Sequence, residues 1–376
     1  MNPGTFQGAG TGTTPQNNNT DYVLAPYFLS STTYKIPASG WWRVVAVGAG
    51  GSGAAALEMN SGGRTVELGA TGGGAGGFCY RLAYVNANTV LNITIGASAA
   101  SVQIVSGDPG TAAVNGTAGG TTSVVGGPFN MFALGGSGGI YAVGASSAAS
   151  GGAGGSAVGG QINVTGGSGG DITSTTGVNA TGGGAVGVFG VGYPGGSISG
   201  STGKAISTGG GGVGGRGSNS TTNANKATGG GSSTQSAPDN IGTTTVVLGT
   251  PWFSVGQTSM IPQRSIPGFV FTGAANAGGV SPIYTPGAGG VAALTPGAAG
   301  NGGLFAGGGG GCSIDYPVIP SGGRGGQAAT PSGASVLQYY GGGGGGAVNY
   351  GLNIGGAYAN TGASGNGIVY MEYVGP

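Results

Sequence analysis

The sequence predicts a mostly β protein with little or no α-helix: an antiparallel β-sandwich carrying an inserted bundle of packed glycine helices. Three observations lead there. Glycine fills 98 of 376 positions and gathers into pure runs at 182–184, 209–212, 229–231, 307–311 and 341–346. Stretches rich in β-branched and aromatic residues, which suit a pleated, half-buried surface, stand before and after the glycine region. The chain is only 5% charged yet holds Phe 10, Trp 3 and Tyr 15, the reverse of a disordered composition. No strict Gly-X-Y period exists, so collagen is excluded.

Residues 1–32 are polar and turn-rich and read as an attachment arm that orders against a partner. The sandwich is expected over 33–134, closed by a last strand at 367–374. Its first strand, 33–36, alternates and stops at Pro37. In the next, 41–47, alternation puts Trp41, Arg43, Val45 and Val47 on one face and Trp42, Val44 and Ala46 on the other. Both faces are expected to be covered, with Arg43 near an edge. Strands 78–85 and 89–95 follow, joined as a hairpin through Asn86, Ala87 and Asn88. Further strands are read at 102–105, at 121–125, ended by Gly126-Gly127-Pro128, and at 129–134. Trp41, Trp42, Phe78, Tyr80 and Tyr370 are the expected aromatic core.

The glycine region, 135–366, needs another geometry. Glycine inside a helix or strand costs about 0.5–1 kcal/mol relative to alanine and brings no side chain to pack. A polyproline-II-type helix has three residues per turn and leaves its amides pointing outward. Without Cβ atoms, several such helices can lie side by side and bond one another, adding Cα–H···O contacts. A surrounded helix needs glycine on all three faces; one at the edge can carry Ala, Ser or Thr on one. The run 341–346 makes two turns, about 19 Å long, and reads as interior. GGAGG at 151–155 and GGVGG at 211–215 suit less central places. A β-rich insertion at 241–272 interrupts the region, with a small sheet expected from 243–248 and 269–272 around Trp252, Phe253, Met260, Ile261 and Arg264. Other aromatics, including Tyr284, Tyr316, Tyr339 and Tyr340, fall at breaks between glycine runs, where the bundle would turn.

Several function classes are excluded. Formal net charge is +1, which leaves no basic patch for nucleic acid. No apolar stretch reaches the 18 or so residues of a membrane span, and the start has no secretory pattern. With no histidine there is no imidazole base or ligand. The 8 Asp and Glu are scattered singly, whereas a glycosidase needs a pair roughly 5–9.5 Å apart. Gly203-Lys204 fails as a phosphate loop, because Ile198 stands where the first glycine is needed and Ala205 follows the lysine. No enzyme activity and no cofactor are expected. Asp108 and Asp239 suit turns, with a structural calcium as the alternative. Cys79 and Cys312 could each be a small buried hydrophobe or could pair.

The block 33–53 has the form T-Y-x-I-P-A-x-G-x-W-x-V-V-x-V-G-A-G-G-x-G. After it come GGGAGG, FCYRL, a strand ending in Thr94-Ile95-Gly96, and Gly119-Gly120-Thr121-Thr122-Ser123-Val124. The end, 365–374, reads G-x-G-I-V-Y-x-E-Y-V. This order resembles the glycine-rich domain of bacteriophage tail-fibre and adhesin proteins, and covers about residues 33–374. The resemblance implies packed polyglycine-II helices, with loops at one end of the bundle binding the bacterial surface. It supplies no fixed catalytic motif, and 241–272 has no counterpart in it. The reading that follows is a phage tail-fibre adhesin in the virion, recognising a host cell-surface protein or polysaccharide. Trp252, Phe253, Tyr284, Tyr316, Tyr339 and Tyr340 are the candidate receptor contacts, since Tyr and Trp give large contact area at low entropy cost. Packing against the bundle or a neighbouring subunit is the other role open to them. Residues 1–32 would join other tail proteins, and a homo-oligomer, a trimer foremost, is expected. The alternative is a structural virion component, such as a decoration, fibre or connector protein, without receptor binding.

Overall fold

The structure is a computed structural model. It describes residues 26–60, 67–106, 110–144, 147–173, 177–187, 192–199, 205–212, 216–217, 219, 254–255, 258–259, 299, 307–308, 310–314, 327–329, 337–352 and 357–376. Among them all regular structure is β, and no helix occurs.

Two five-stranded antiparallel sheets share the main core. The first runs in the order Tyr27–Phe28, Ile368–Gly375, Gly40–Val47, Phe78–Val85, Ile162–Val164. The second runs Ala157–Val158, Phe129–Ala133, Thr122–Gly126, Val90–Thr94, Thr32–Lys35. Alternation decides what lies between them. Trp42, Val44 and Ala46 from one sheet meet Leu91, Ile93, Val124, Phe129 and Met131 from the other, all buried. Trp42 is fully covered and donates its indole N–H to Ala38 O at 3.2 Å. Tyr34 packs edge-on to Phe28 and Trp42 at centroid distances of 5.3 and 6.3 Å, and burial pushes its phenol up to about 12.

The closing strand lies where the sequence places it, Ile368 opposite Val47 and Tyr370 opposite Val45. Three expectations change. The Asn86–Asn88 connection is no hairpin: Phe78–Val85 and Val90–Thr94 belong to different sheets, because each buries its own apolar face toward the shared core. Arg43 is not near an edge. Its strand is the middle one of five, and the guanidinium is held by Glu372 across the register pair. Within the expected arm, Tyr27–Phe28 and Thr32 belong to the sheets: Tyr27 and Phe28 pair with Tyr370 and Val369, and Phe28 enters the core. Residues 1–25 lie outside the described residues.

At Gly48 the chain leaves the first sheet and its hydrogen bonding changes period. Gly48, Gly51 and Ala54 donate their N–H groups to Gly77, Gly74 and Thr71. Ala49 and Ser52 donate to Gly120 and Thr117, and Gly50 and Gly53 to Gly365 and Gly362. The partner segment thus recurs every third residue. Segment 71–77 bonds in the same manner to 48–54, 134–140, 152–155, 167, 184 and 341–344, and every residue in it is buried. Segment 341–346 is also wholly buried: Gly343 donates to Gly184, Gly344 to Gly51 and Gly346 to Thr181. Its interior place agrees with the sequence expectation. The reason for glycine is space. A Cβ at Gly343 would run into Gly73 O, one at Gly50 into Gly342 O and one at Gly183 into Gly343 O. Within 341–346, Gly341, where the chain turns into the run, has a left-handed φ of 66°. The packing therefore runs across residue 134, with segments 48–54 and 71–77 lying among the later glycine runs.

Short strands that the sequence reading did not place extend this layer. Tyr141–Val143, Leu68–Ala70, Val178–Ala180 and Ala205–Ser207 form one four-stranded sheet, in which the last three are parallel and in register. Gly311–Ile314, Ala347–Leu352, Ala55–Asn60 and Gly110–Val114 form another. Where strand gives way to glycine, a threonine makes the junction. Thr181 Oγ1 accepts from Gly72 N–H at 3.0 Å and donates to Gly170 O at 2.6 Å. Thr208 Oγ1 accepts from Gly182 N–H at 3.3 Å and donates to Gly196 O. Each hydroxyl is fully buried and serves as donor and acceptor at once. Within 241–272 the described residues are the pair Ser254–Val255 and Thr258–Ser259. The strands expected at 243–248 and 269–272 lie outside the described residues.

Candidate recognition surface

The sandwich end farthest from Gly48 carries an open aromatic surface. Strand alternation that sends Trp42 inward sends Trp41 outward, where it is 45% exposed. Its register partner Tyr84 is 49% exposed. The two rings meet edge to face at 6.0 Å and 83°, a favoured aromatic arrangement. Trp41 was expected in the core; the position belongs to the outer face of the sheet, and Tyr80, also expected in the core, is half-buried on that face. Trp42, Phe78 and Tyr370 are buried as expected.

One register step away, Arg43 Nη1 and Glu372 Oε2 lie 3.0 Å apart, with side chains 12% and 13% exposed. Arg43 and Glu372 are direct cross-strand neighbours, so the pair needs no long reach. The opposite charges offset each other and leave the surface near neutrality. The adjoining connection is pinned. Ala87 N–H donates to Ser39 Oγ at 2.8 Å, Asn88 N–H to Ile36 O at 2.8 Å, and Tyr373 Oη to Ser39 O at 3.3 Å. Asn88 adopts a left-handed φ of 68°, a conformation Asn tolerates. Chemically, this surface offers a ring face and edge beside exposed Asn86 and Asn88. It can stack and hydrogen-bond; it holds no nucleophile with an adjacent base.

The residues chosen from sequence fare differently. Trp252, Phe253, Tyr284 and Tyr316 lie outside the described residues. Tyr339 ends the strand Leu337–Tyr339, opposite Gln327. Tyr340 is only 6% exposed and bridges to Asn366 just before the 341–346 run. It is therefore a covered residue at the mouth of an interior segment, not an open platform, which corrects its place among the receptor contacts. Among the described residues, the candidates are the sequence neighbours Tyr339 and Tyr340. Trp41 and Tyr84, which the sequence reading did not select, were signalled by the alternation that paired Trp41 with Arg43 rather than with Trp42.

Cys79 is a free, buried thiol donating to Val158 O at 3.3 Å and Asn163 Oδ1 at 3.2 Å. Burial pushes it up to about 11, against smaller opposing effects of nearby backbone and Arg81, so it has little thiolate character. Among the described residues no group of three or more Cys, Asp or Glu could hold a metal ion, and no helix is long and apolar enough to cross a membrane. No family model matches the chain, and no curated protein matches it.

Proposed function

We propose that this protein is a phage tail-fibre adhesin that binds a protein or polysaccharide on the host bacterial surface. We infer that its glycine segments are polyglycine-II helices packed in a bundle. The observation that carries the reading is the return of backbone bonds to the same neighbour at every third residue, together with carbonyl oxygens standing where Cβ atoms would be. Three residues per turn is the repeat of that helix. The side chains buried within such a body are small, and hydroxyls such as those of Thr181 and Thr208 are taken up in bonds to its backbone. Its larger side chains belong to edges, breaks and the sandwich face, and loops on a rigid scaffold are the usual place for function. The low charge directs recognition toward stacking and hydrogen bonding rather than salt-dependent attraction.

On this reading the insertion around Trp252 and Phe253 contacts the receptor, and the N-terminal segment joins the tail. Replacing both aromatics by alanine reduces binding to susceptible cells at least about ten-fold, as expected for central aromatic anchors, while incorporation into particles stays unchanged. Deleting residues 1–25 does the opposite; the deletion stops there because Phe28 is part of the core. Binding of purified variants to cells and their incorporation into particles are the measurements. An aromatic variant that binds cells normally but fails to assemble overturns the adhesin reading in favour of a structural virion component.

A further inference from the structure

Along one flank of the glycine layer, exposure recurs at every third residue. Leu134, Ser137 and Ile140 are exposed, while Gly136 and Gly139 between them are buried. Two other rows share this spacing: Asn115, Ala118 and Thr121, with Thr117 exposed beside them, and Ser150, Ala153 and Ser156. Backbone bonds fix their order. Gly116 and Gly119 donate to Gly139 O and Gly136 O, both at 2.9 Å. Ser137 and Leu134 donate to Ala153 O and Ser156 O, both at 2.8 Å. The 134–140 segment therefore lies between the other two.

Its side chains are unlike those of other edge rows. Ala97 and Ala100, Thr165, Ser168 and Asp171, and Ala363 and Asn366 keep the same spacing with small or polar residues. The central row instead presents Leu134 and Ile140, 38% and 44% exposed. It continues into the edge strand Tyr141–Val143, whose Tyr141 and Val143 are each 40% exposed. The result is a ridge of large apolar groups, interrupted at Ser137, with rows of small or polar residues on either side. At about 3.1 Å per residue, successive positions stand about 9.3 Å apart in all three rows. A ridge and flanking rows with one repeat fit a second copy of themselves. None of the residues 115–121, 134–143 or 150–156 is charged, so like charges do not oppose the contact. On the edge strand, the N–H of Tyr141 is already accepted by Asn115 Oδ1 at 3.1 Å.

We propose that this flank is the contact between copies of the chain, the ridge of one lying along a flanking row of the other. From residue 134 to 143 the ridge is about 28 Å long. A flank about 15 Å wide then covers roughly half of the 800 Å² per partner found in standard interfaces. Association is accordingly reversible and concentration-dependent, and it does not depend on what the receptor is.

Sedimentation equilibrium of the full chain over about 1–200 μM, the range suited to a small interface, tests this. The wild type is expected to self-associate. The double variant Leu134→Ser with Ile140→Ser, and Ile140→Ser alone, are expected to weaken association, the double at least about ten-fold. Ala97→Ser with Ala100→Ser, the same polar change on another edge row, leaves it unaltered. Far-UV circular dichroism and thermal melting check that each variant folds, and Ile140→Ser decides the matter if the double variant does not. A wild type that stays monomeric throughout overturns the proposal, as do ridge and control variants that associate equally. Loss of cell binding by the ridge variants of a monomeric wild type assigns the ridge to the receptor, which also overturns it.

Discussion

The two-sheet core and the glycine layer are held together by opposite means. Between the sheets, stability comes from burying large side chains: Trp42, Phe129 and Met131 are at most 2% exposed and touch across the gap. In the glycine layer the nearest neighbours are backbones, and the bonds are N–H to carbonyl between segments far apart in sequence. Each such bond contributes only about 0.5–1.5 kcal/mol net, but leaving one buried and unmade costs more, so the network is cooperative in what it forbids. The contrast teaches that burial alone does not predict tolerance. A covered side chain in the sheets can be exchanged for another of similar volume. A covered glycine has no alternative, because its neighbour is a carbonyl oxygen that cannot change its size or rotamer.

The largest effect is therefore expected from Gly343→Val. Its Cβ would meet Gly73 O in a segment bonded on all sides, and the about 1–3 kcal/mol of ordinary overpacking is reached only where side chains and backbone can shift to make room. Here no side chain can give way, so loss of soluble folded protein is the expected outcome in an expression and melting assay. A variant melting within a few degrees of wild type would show that the run is not tightly packed. Trp42→Ala comes next. It empties the middle of the sheet core and should cost about 3–5 kcal/mol, read as a lower thermal midpoint of a protein that still folds. If Trp42→Ala proves as ruinous as Gly343→Val, the distinction between the two regions is wrong.

Side-chain pattern made the sheets legible. Phe78–Val85 was bounded to the residue, and the closing strand was found from β-branched and aromatic alternation at the end of the chain. What alternation cannot give is which strand a strand pairs with. The Asn86–Asn88 connection looked like a hairpin because local turn chemistry is the same whether the chain folds back within a sheet or crosses to the facing one. The interior place of 341–346 was legible because a run without side chains suits a position surrounded by other backbones. The short strands Leu68–Ala70, Val178–Ala180 and Ala205–Ser207 were not, since three residues are too few for a period. Their shared signal was Ala/Ser-Thr-Gly-Gly-Gly, which marks the strand-to-glycine junction at 70–74, 180–184 and 207–211 and occurs once more at 227–231, outside the described residues. On the exposed aromatic surface, Trp41 was misplaced by its neighbour: two adjacent tryptophans look alike in composition and face opposite ways.

The smallest effect tests the repeat itself. Residues 150–156 read Ser-Gly-Gly-Ala-Gly-Gly-Ser, and Ser150, Ala153 and Ser156 are exposed. A Cβ at Gly151, Gly152, Gly154 or Gly155 would run into Gly169 O, Ser137 O, Gly166 O or Leu134 O. Ala153→Val only enlarges a side chain that already points to solvent, and a β-branched residue accepts extended backbone. Its melting temperature should match wild type, within the roughly 0.5 kcal/mol typical of surface changes. Gly151→Val and Gly152→Val should each lose the fold. The comparison separates two geometries. In a β-strand, side chains alternate every second residue, so positions 151, 153 and 155 would share one face and Gly151→Val would be as harmless as Ala153→Val. With three residues per turn, position 153 groups with 150 and 156 instead. A valine scan in which 151 and 153 behave alike would remove the period-three geometry from this segment, and with it the reason that glycine is needed on either side of Ala153.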